Sequence, residues 1–335
     1  MQALLQSGYG STEVFRVDAT PSPRPGPGEV LVKVEAAGID RGTWHLMTGR
    51  PYLMRLMGFG LFAPKEKVAG LDLAGTIVEV GEGVARFRVG DAVLGIGRGA
   101  FAEFACARED KLVHKPKALS FAEAAVLGVS GGTALQAIDA AKLAAGERVL
   151  VVGASGGVGT FAVQIAKALG AHVTGVASIS KLDTVRAAGA DRAIDYTTTD
   201  FTTEPYDVIL DLGGNTPLRR LRRALTPTGR LVFVGGENGG DWTAGFGRPL
   251  LGLLLAPFVR QRFILLASKE HFSFTQRVVD FVEQKAVTPI IDRRISLHQV
   301  PGALLDLEAG RVRGKIVVEI GAWLLPVRRQ SAAGE

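Results

Sequence analysis

The chain has 335 residues, of which 47% are hydrophobic and 21% charged, with a formal net charge of +6. That length exceeds what one hydrophobic core ordinarily serves, so two domains are expected, and the composition excludes a disordered or fibrous chain. The single cysteine, Cys106, excludes an intramolecular disulfide and any multi-cysteine zinc site, and with no Lys/Arg-rich run before Arg328-Arg329 the positive charge gives no reason to expect nucleic acid.

Residues 1–120 read as β-rich and punctuated by glycine. Val14 and Val17 frame an early strand, and the proline-rich stretch 21–28 is an extended connector that cannot be helix. Alternating strands are expected at 29–36, 75–80, 89–94 and 101–107, with a turn at Gly81-Glu82-Gly83. Many short strands between glycine turns suggest a small barrel-like domain. Within it, 38–64 is read as loop-rich and crowds Trp44, His45, Tyr52, Met54, Met57, Phe59 and Phe62, which suits either core or the wall of an apolar pocket.

From Phe121 the pattern turns helical, over 121–127 and again over 134–143, the second opened by Gly131-Gly132-Thr133. The next stretch organises the rest. Val149–Val152 is an apolar β-branched run of the kind found in a buried parallel strand, followed by Gly153-Ala-Ser-Gly-Gly-Val-Gly159. Apolar residues at 158, 161, 162, 165, 166 and 169 then repeat with helical spacing, and Gly170 sits at the C-cap. Strand, glycine turn and helix leave unpaired backbone N–H groups where a pyrophosphate can accept from them. Ala154, Gly156 and Gly159 occupy the three positions of the dinucleotide fingerprint, with alanine in place of the first glycine.

A second strand, 172–177, ends at Ser178, where an NAD site usually has a carboxylate for the ribose 2′-OH. Ser178 can instead donate to a 2′-phosphate and Lys181 can neutralise it, which points to NADPH; the alternative is Ser178 as a helix cap and Lys181 as a solvated side chain. Strands at 192–195, 206–211 and 230–235 alternate with helices at 181–189 and 215–225, the pattern of an α/β fold with a doubly wound parallel sheet. Arg219, Arg220, Arg222 and Arg223 on the second of these helices read as a solvated face. The most apolar window, 249–267, has Arg248 at its edge and contains Arg260 and Arg262, so it does not read as membrane-spanning. A strand at 263–267, a helix at 272–285, β character at 289–292, a helix at 297–308 and a strand at 315–320 complete the chain. With no signal-peptide pattern in the first ten residues, a cytoplasmic protein without a membrane partner is expected.

These motifs resemble the medium-chain dehydrogenase/reductase superfamily, in particular its zinc-independent, quinone-oxidoreductase-like and NADPH-dependent enone reductase branch. The resemblance is carried by Gly70-Leu-Asp72-Leu-Ala-Gly75, Gly90-Asp91, Ser130-Gly-Gly-Thr133-Ala-Leu-Gln136, Gly153–Gly159 with Ile165-Ala-Lys167, Gly189-Ala-Asp191, Asp195-Tyr196 and Arg313-Gly-Lys315-Ile-Val. The segments 257–262 and 289–293 are similar to the subgroup that includes reticulon-interacting oxidoreductases. The resemblance implies a GroES-like, partly open barrel domain at 1–120, a Rossmann domain at 121–285, a terminal segment at 286–335 returning to the first domain, and a homodimer joined near 263–267. It implies that Ser155, Gly156, Gly157 and Val158 lie at the pyrophosphate, and Ser178, Lys181 and Tyr196 at the adenosine phosphate. Thr133 then lies near the nicotinamide, and Lys315 reaches the cofactor from the terminal segment. Helix start, sheet packing and solvated strand end are the respective alternatives for Thr133, Tyr196 and Lys315.

Zinc-dependent relatives have a Cys where this chain has Asp40 and a His-Glu pair at Leu71-Asp72, so no metal is expected. The zinc-free subgroup commonly reads Asn-Pro-x-Asp-Trp-His where this chain reads Asp40-Arg41-Gly42-Thr43-Trp44-His45. Asp40, Thr43 and His45 are the catalytic candidates, as donors to a developing oxyanion or to the product. A buried Asp40 either holds a proton or pairs with Arg41 or Arg50, the pairing being the expected state; His45 is either a proton donor or a packing residue. The implied reaction is hydride transfer from NADPH to an apolar quinone, enone or carbonyl compound. The alternatives are a zinc-free alcohol dehydrogenase and a non-enzymatic, crystallin-like NADPH-binding protein.

Overall fold

A computed structural model of the chain describes residues 1–236, 240, 242 and 247–320; Arg328-Arg329 lies outside them. The first half runs through β1 (Gln2–Gln6), β2 (Phe15–Ala19), β3 (Glu29–Ile39), α1 (Arg41–Thr48), α2 (Tyr52–Met54), β4 (Asp72–Val80), β5 (Ala92–Ile96), β6 (Phe104–Arg108), β7 (Leu112–His114) and α3 (Phe121–Ala124). Next come α4 (Gly128–Ala141), β8 (Arg148–Val152), α5 (Gly157–Ala168), β9 (His172–Ala177), α6 (Leu182–Ala187), β10 (Arg192–Asp195), β11 (Tyr206–Asp211), α7 (Leu218–Arg223) and β12 (Leu225–Phe233). The last elements are α8 (Gly247–Leu255), β13 (Arg262–Leu265), α9 (Phe272–Glu283), β14 (Ile291–Ile295), α10 (Val300–Glu308) and β15 (Lys315–Glu319).

Six strands form a wholly parallel sheet in the order β10-β9-β8-β11-β12-β13. This is the 3-2-1-4-5-6 order of a doubly wound sheet, with the reversal between β8 and β11. Alternation along β8 divides its apolar run between two cores: Val149 and Val151 pack under α4, α5 and α9, and Leu150 and Val152 pack with Leu218 and Leu221 of α7. Burial on both faces is why the strand reads as a continuous apolar run. A second, mixed sheet runs β14-β15-β3-β4-β5-β7, with β6 also on β3, around a separate core. The expected pairing of a Rossmann sheet with a GroES-like β domain is what the chain forms.

Several elements differ from expectation. The stretch after Ile39 is not loop-rich at its start: Asp40 caps α1 by accepting from the Thr43 N–H, and Gly49 ends it with φ +62°. α4 begins at Gly128, so Gly131-Gly132 lies inside the helix instead of opening it. A Cβ on Gly131 would sit 2.8 Å from Val278 Cγ1, so the glycine serves close contact between α4 and α9. β1, β7 and α8 were not expected.

Candidate functional site

The glycine turn lies at the sheet's reversal point. Gly153, at φ +86°, and Ala154 donate to the Val176 carbonyl, and the helix begins at once. A Cβ on Gly159 would sit 2.2 Å from the Gly153 carbonyl oxygen, so only glycine lets the helix come this near the strand end. Gly156 is extended at the N-cap and supplies no side-chain cap. The N–H groups of Val158 and Gly159 have no backbone acceptor among the described residues, while the bridge between Gly156 and Gly314 turns the Gly157 N–H toward the Gly314 carbonyl. Bare amides at a helix N-terminus on the sheet's switch point form a cradle that fits a dinucleotide pyrophosphate. The buried Ser155 is tied in by its carbonyl, which accepts from Gly314 N–H at 2.8 Å.

The adenosine side is set by β9 and the turn after it. Ser178 precedes a 3-10 turn and makes no side-chain cap, so the capping alternative is not the one seen. Lys181 is not solvated: its Nζ donates to the carbonyls of Gly310 and, at 2.9 Å, Val312. Burial pulls its pKa down, and the nearby Arg313 guanidinium adds to the shift. Arg313 is exposed beside it and was not singled out from the sequence. The only sequence signal was its place before Gly314-Lys315. Tyr196 is 56% exposed at the end of β10, and its N–H donates to the Ala177 carbonyl.

Lys315 is not a solvated strand end. It is 2% exposed, with Nζ 3.0 Å from Ser130 Oγ and 3.3 Å from Asp72 Oδ2. Asp72 Oδ1 accepts from Val129 N–H at 2.7 Å. A Cβ on Gly157 would lie 2.9 Å from Lys315 Cδ, so the lysine stem lies directly behind the cofactor cradle. Burial pushes the Asp72 carboxyl up to about 7, with the Lys315 ammonium opposing the shift and Asp40 adding to it.

Asp40 is buried at the head of α1. Oδ1 accepts from Thr43 N–H at 2.8 Å and from Thr43 Oγ1 at 3.3 Å, while Oδ2 has no partner among the described residues. The expected ion pair with Arg41 or Arg50 is absent among the described residues, because the cap turns the carboxyl inward, where the cation acting on it is Lys315. Desolvation raises its pKa, Lys315 and the Thr43 bonds pulling the other way. His45 directs Nδ1 to the Arg50 carbonyl at 2.7 Å and packs edge-on to Trp44 at 5.1 Å. Thr133, inside α4, meets Ser268 Oγ at 3.4 Å.

A cavity of about 370 Å³ is lined on one part by Thr43, Leu46, Phe59, Leu71 and Ile96 and on another by charged side chains, among them Glu66, Arg98 and the Lys111–Glu270 ion pair at 2.6 Å. Of the catalytic candidates, Thr43 lines it and Asp40 stands directly behind Thr43; His45 is not part of its wall. At the positions that hold a His-Glu pair in zinc-dependent relatives, Leu71 is apolar and Asp72 is engaged by the Lys315 ammonium. No group of three His, Cys, Asp or Glu side chains suited to a metal occurs among the described residues.

Residues 26–117 match the alcohol dehydrogenase GroES-like domain and residues 188–318 the zinc-binding dehydrogenase family. The chain is 31% identical to a chloroplast envelope quinone oxidoreductase homolog of Arabidopsis thaliana, covering 95% of this chain and 98% of that one. It is also 31% identical to the mitochondrial NAD(P)H oxidoreductase RTN4IP1 of Bos taurus, over 96% of this chain and 89% of the relative. Among solved structures, the quinone oxidoreductase from Coxiella burnetii superposes with a TM-score of 0.82 at 28% identity, covering 96% of this chain and 99% of that one.

Proposed function

The chain belongs to the medium-chain dehydrogenase/reductase superfamily and is an NAD(P)H-dependent oxidoreductase, and from that premise we propose that it uses NADPH, without zinc, to reduce an apolar quinone, enone or related carbonyl compound. The observation that carries the reading is the N-terminus of α5 at the β8/β11 switch point, flanked by Ser178, Lys181 and Arg313, with serine in place of an acid at position 178. A 2′-phosphate gains from Arg313 and from the Ser178 hydroxyl, whereas an NAD site takes its selectivity from a carboxylate this chain lacks at that position. The proposal includes a cofactor-binding unit at 121–285, flanked by a substrate-binding unit built from 1–120 and 286–335.

The bound nicotinamide supplies the hydride. The chain's own work is to orient the cofactor and stabilise charge on the acceptor. Gly156–Gly159 fix the pyrophosphate with backbone amides, and Lys315 braces that turn from behind. Thr43 lines the cavity and donates its hydroxyl to Asp40, which holds a proton at the unpartnered Oδ2. Leu46, Phe59, Leu71 and Ile96 form an apolar part of the wall against which an apolar acceptor packs. Zinc catalysis needs three converging protein ligands, and Asp40, Leu71 and Asp72 at the positions of those ligands support the zinc-free reading.

A panel of quinones, enones, aldehydes and secondary alcohols, followed by nicotinamide absorbance, tests the reading. Oxidation of NADPH by a quinone or enone is the expected result. Turnover confined to alcohols and aldehydes, or loss of activity on chelation with recovery on adding zinc, overturns it.

A further inference from the structure

Residues 50–65 leave the end of α1, turn once as α2 and once more in the wider turn Arg55–Phe59, and run back toward β4 through Gly60. The inner side of this flap is cavity wall, to which it contributes Gly58, Phe59, Pro64 and Lys65. Its outer side is open to solvent: Phe62 is 88% and Leu56 71% exposed, and Leu53 and Leu61 are exposed as well. A segment that buries so little apolar surface is weakly held by packing, so its position depends on specific polar contacts.

Two side chains fasten it. The Tyr9 hydroxyl donates to the Gly60 carbonyl at 2.8 Å, with the Phe59 carbonyl 3.2 Å away. The Arg55 guanidinium lies between two rings, 4.4 Å from the centre of Tyr9 and 4.6 Å from that of Tyr52. Its Nε donates to the Gly49 carbonyl at 2.9 Å and its Nη2 to the Thr48 carbonyl at 3.2 Å. These are carbonyls at the end of α1, where a helix lacks internal donors and favours a cation. The fit is close, since a Cβ on Gly49 would sit 2.6 Å from Tyr9 Cδ1 and 2.7 Å from Arg55 Nε.

Tyr9 is itself a fixed point. The Gly10 N–H donates to the Met47 carbonyl at 3.2 Å, and the Gln6 amide donates to the carbonyls of Leu46 and Met47 at 3.0 and 3.1 Å. The flap therefore hangs from the C-terminal end of α1, the helix that also brings Thr43 and Leu46 to the cavity.

We propose that Tyr9 and Arg55 are specificity-determining residues: by fixing how far Phe59 stands over the cavity, they set the size of acceptor that the enzyme takes. Neither side chain lines the cavity, so both act through the flap as positioning residues. The inference rests on the reading of this cavity as the acceptor site, and not on which class of carbonyl compound is reduced.

The test combines one readout without turnover and one with it, on the full chain. Hydrogen exchange of the amides of 55–65, followed by mass spectrometry, speeds up about tenfold in Arg55→Met, which takes the cation from between the rings. It speeds up by a smaller factor in Tyr9→Phe, the conservative variant that removes only the phenol bond. In steady-state assays, acceptors graded in size within the class the chain reduces separate a size effect from general damage. KM for the smallest rises about fivefold with kcat little changed, as contact with Phe59 is lost, while kcat/KM for the largest holds or rises. Circular dichroism and unchanged nicotinamide nucleotide affinity establish that the variants are folded. Unchanged exchange in both variants overturns the proposal, and so does an equal loss of kcat/KM across the graded acceptors. Failure of the quinone and enone reading is seen separately: the graded acceptors are then aldehydes, and the exchange result is unaffected.

Discussion

Lys315 sits between two buried carboxyls, and the charges there do not balance unless one carboxyl keeps its proton. Asp72 touches the ammonium, and Asp40 has an unpartnered buried oxygen, so Asp40 is the proton holder. Asp72→Asn leaves a buried ammonium facing a neutral amide and costs about 3–5 kcal/mol in chemical denaturation, most of it recovered by adding Lys315→Met. The pH dependence has a definite sign. Both carboxyls bind a proton more tightly folded than unfolded, where the value is near 3.8, and Asp72 is pushed up to about 7. The contribution of Asp72 is therefore whole below about pH 4 and is lost as pH rises through about 7, and that of Asp40 has the same sign. Asp40→Asn keeps the helix cap, removes one titrating group and lets Asp72 fall, so thermal midpoints across this range flatten; an equally steep decline in the variant contradicts the account. On the adenosine side, Arg313→Ala weakens NADPH binding about tenfold in a fluorescence titration and leaves NADH unchanged.

Elements whose burial is local were legible in the chain. β8 and α5 show in sequence because a strand buried on both faces must be apolar throughout and the turn after it must be glycine. α1 was hidden because Gly42 and Thr43 are weak helix formers, and the helix is held by its Asp40 cap and Gly49 terminus. The start of α4 was misread because Gly131 looks like a turn residue when its neighbour Val278, on α9, is far along the chain. The Lys315–Asp72–Ser130 cluster was illegible for the same reason: it exists only once β15 has paired with β3 and β3 with β4. Two substitutions test the glycine readings. Gly159→Ala drives a Cβ into the Gly153 carbonyl, and cofactor affinity falls by more than about tenfold with a stability loss of about 1–3 kcal/mol. Gly131→Ala costs a similar amount, and Val278→Ala in the same chain recovers part of it in a double-mutant cycle.

At the scale of the whole molecule, the cofactor cradle is joined to the mixed sheet. Gly156 bridges Gly314, Ser155 accepts from Gly314, and Lys315 reaches from β15 to Ser130 of α4. Lys111 and Glu270 make a second tie beside the cavity. Cofactor binding therefore loads a turn that is also a contact between the two sheets, and NADPH raises the thermal midpoint of the entire chain in a single transition by linkage. The central claim is that the turn after β8 and the cations after β9 form a site for NADPH. Its most direct test is a fluorescence titration of the wild-type chain with NADPH and NADH, repeated with Ser178→Asp. The account predicts tighter binding of NADPH than NADH and a reversal or loss of that preference in the variant. Equal binding of both nucleotides unaffected by the substitution, or binding of neither, contradicts it.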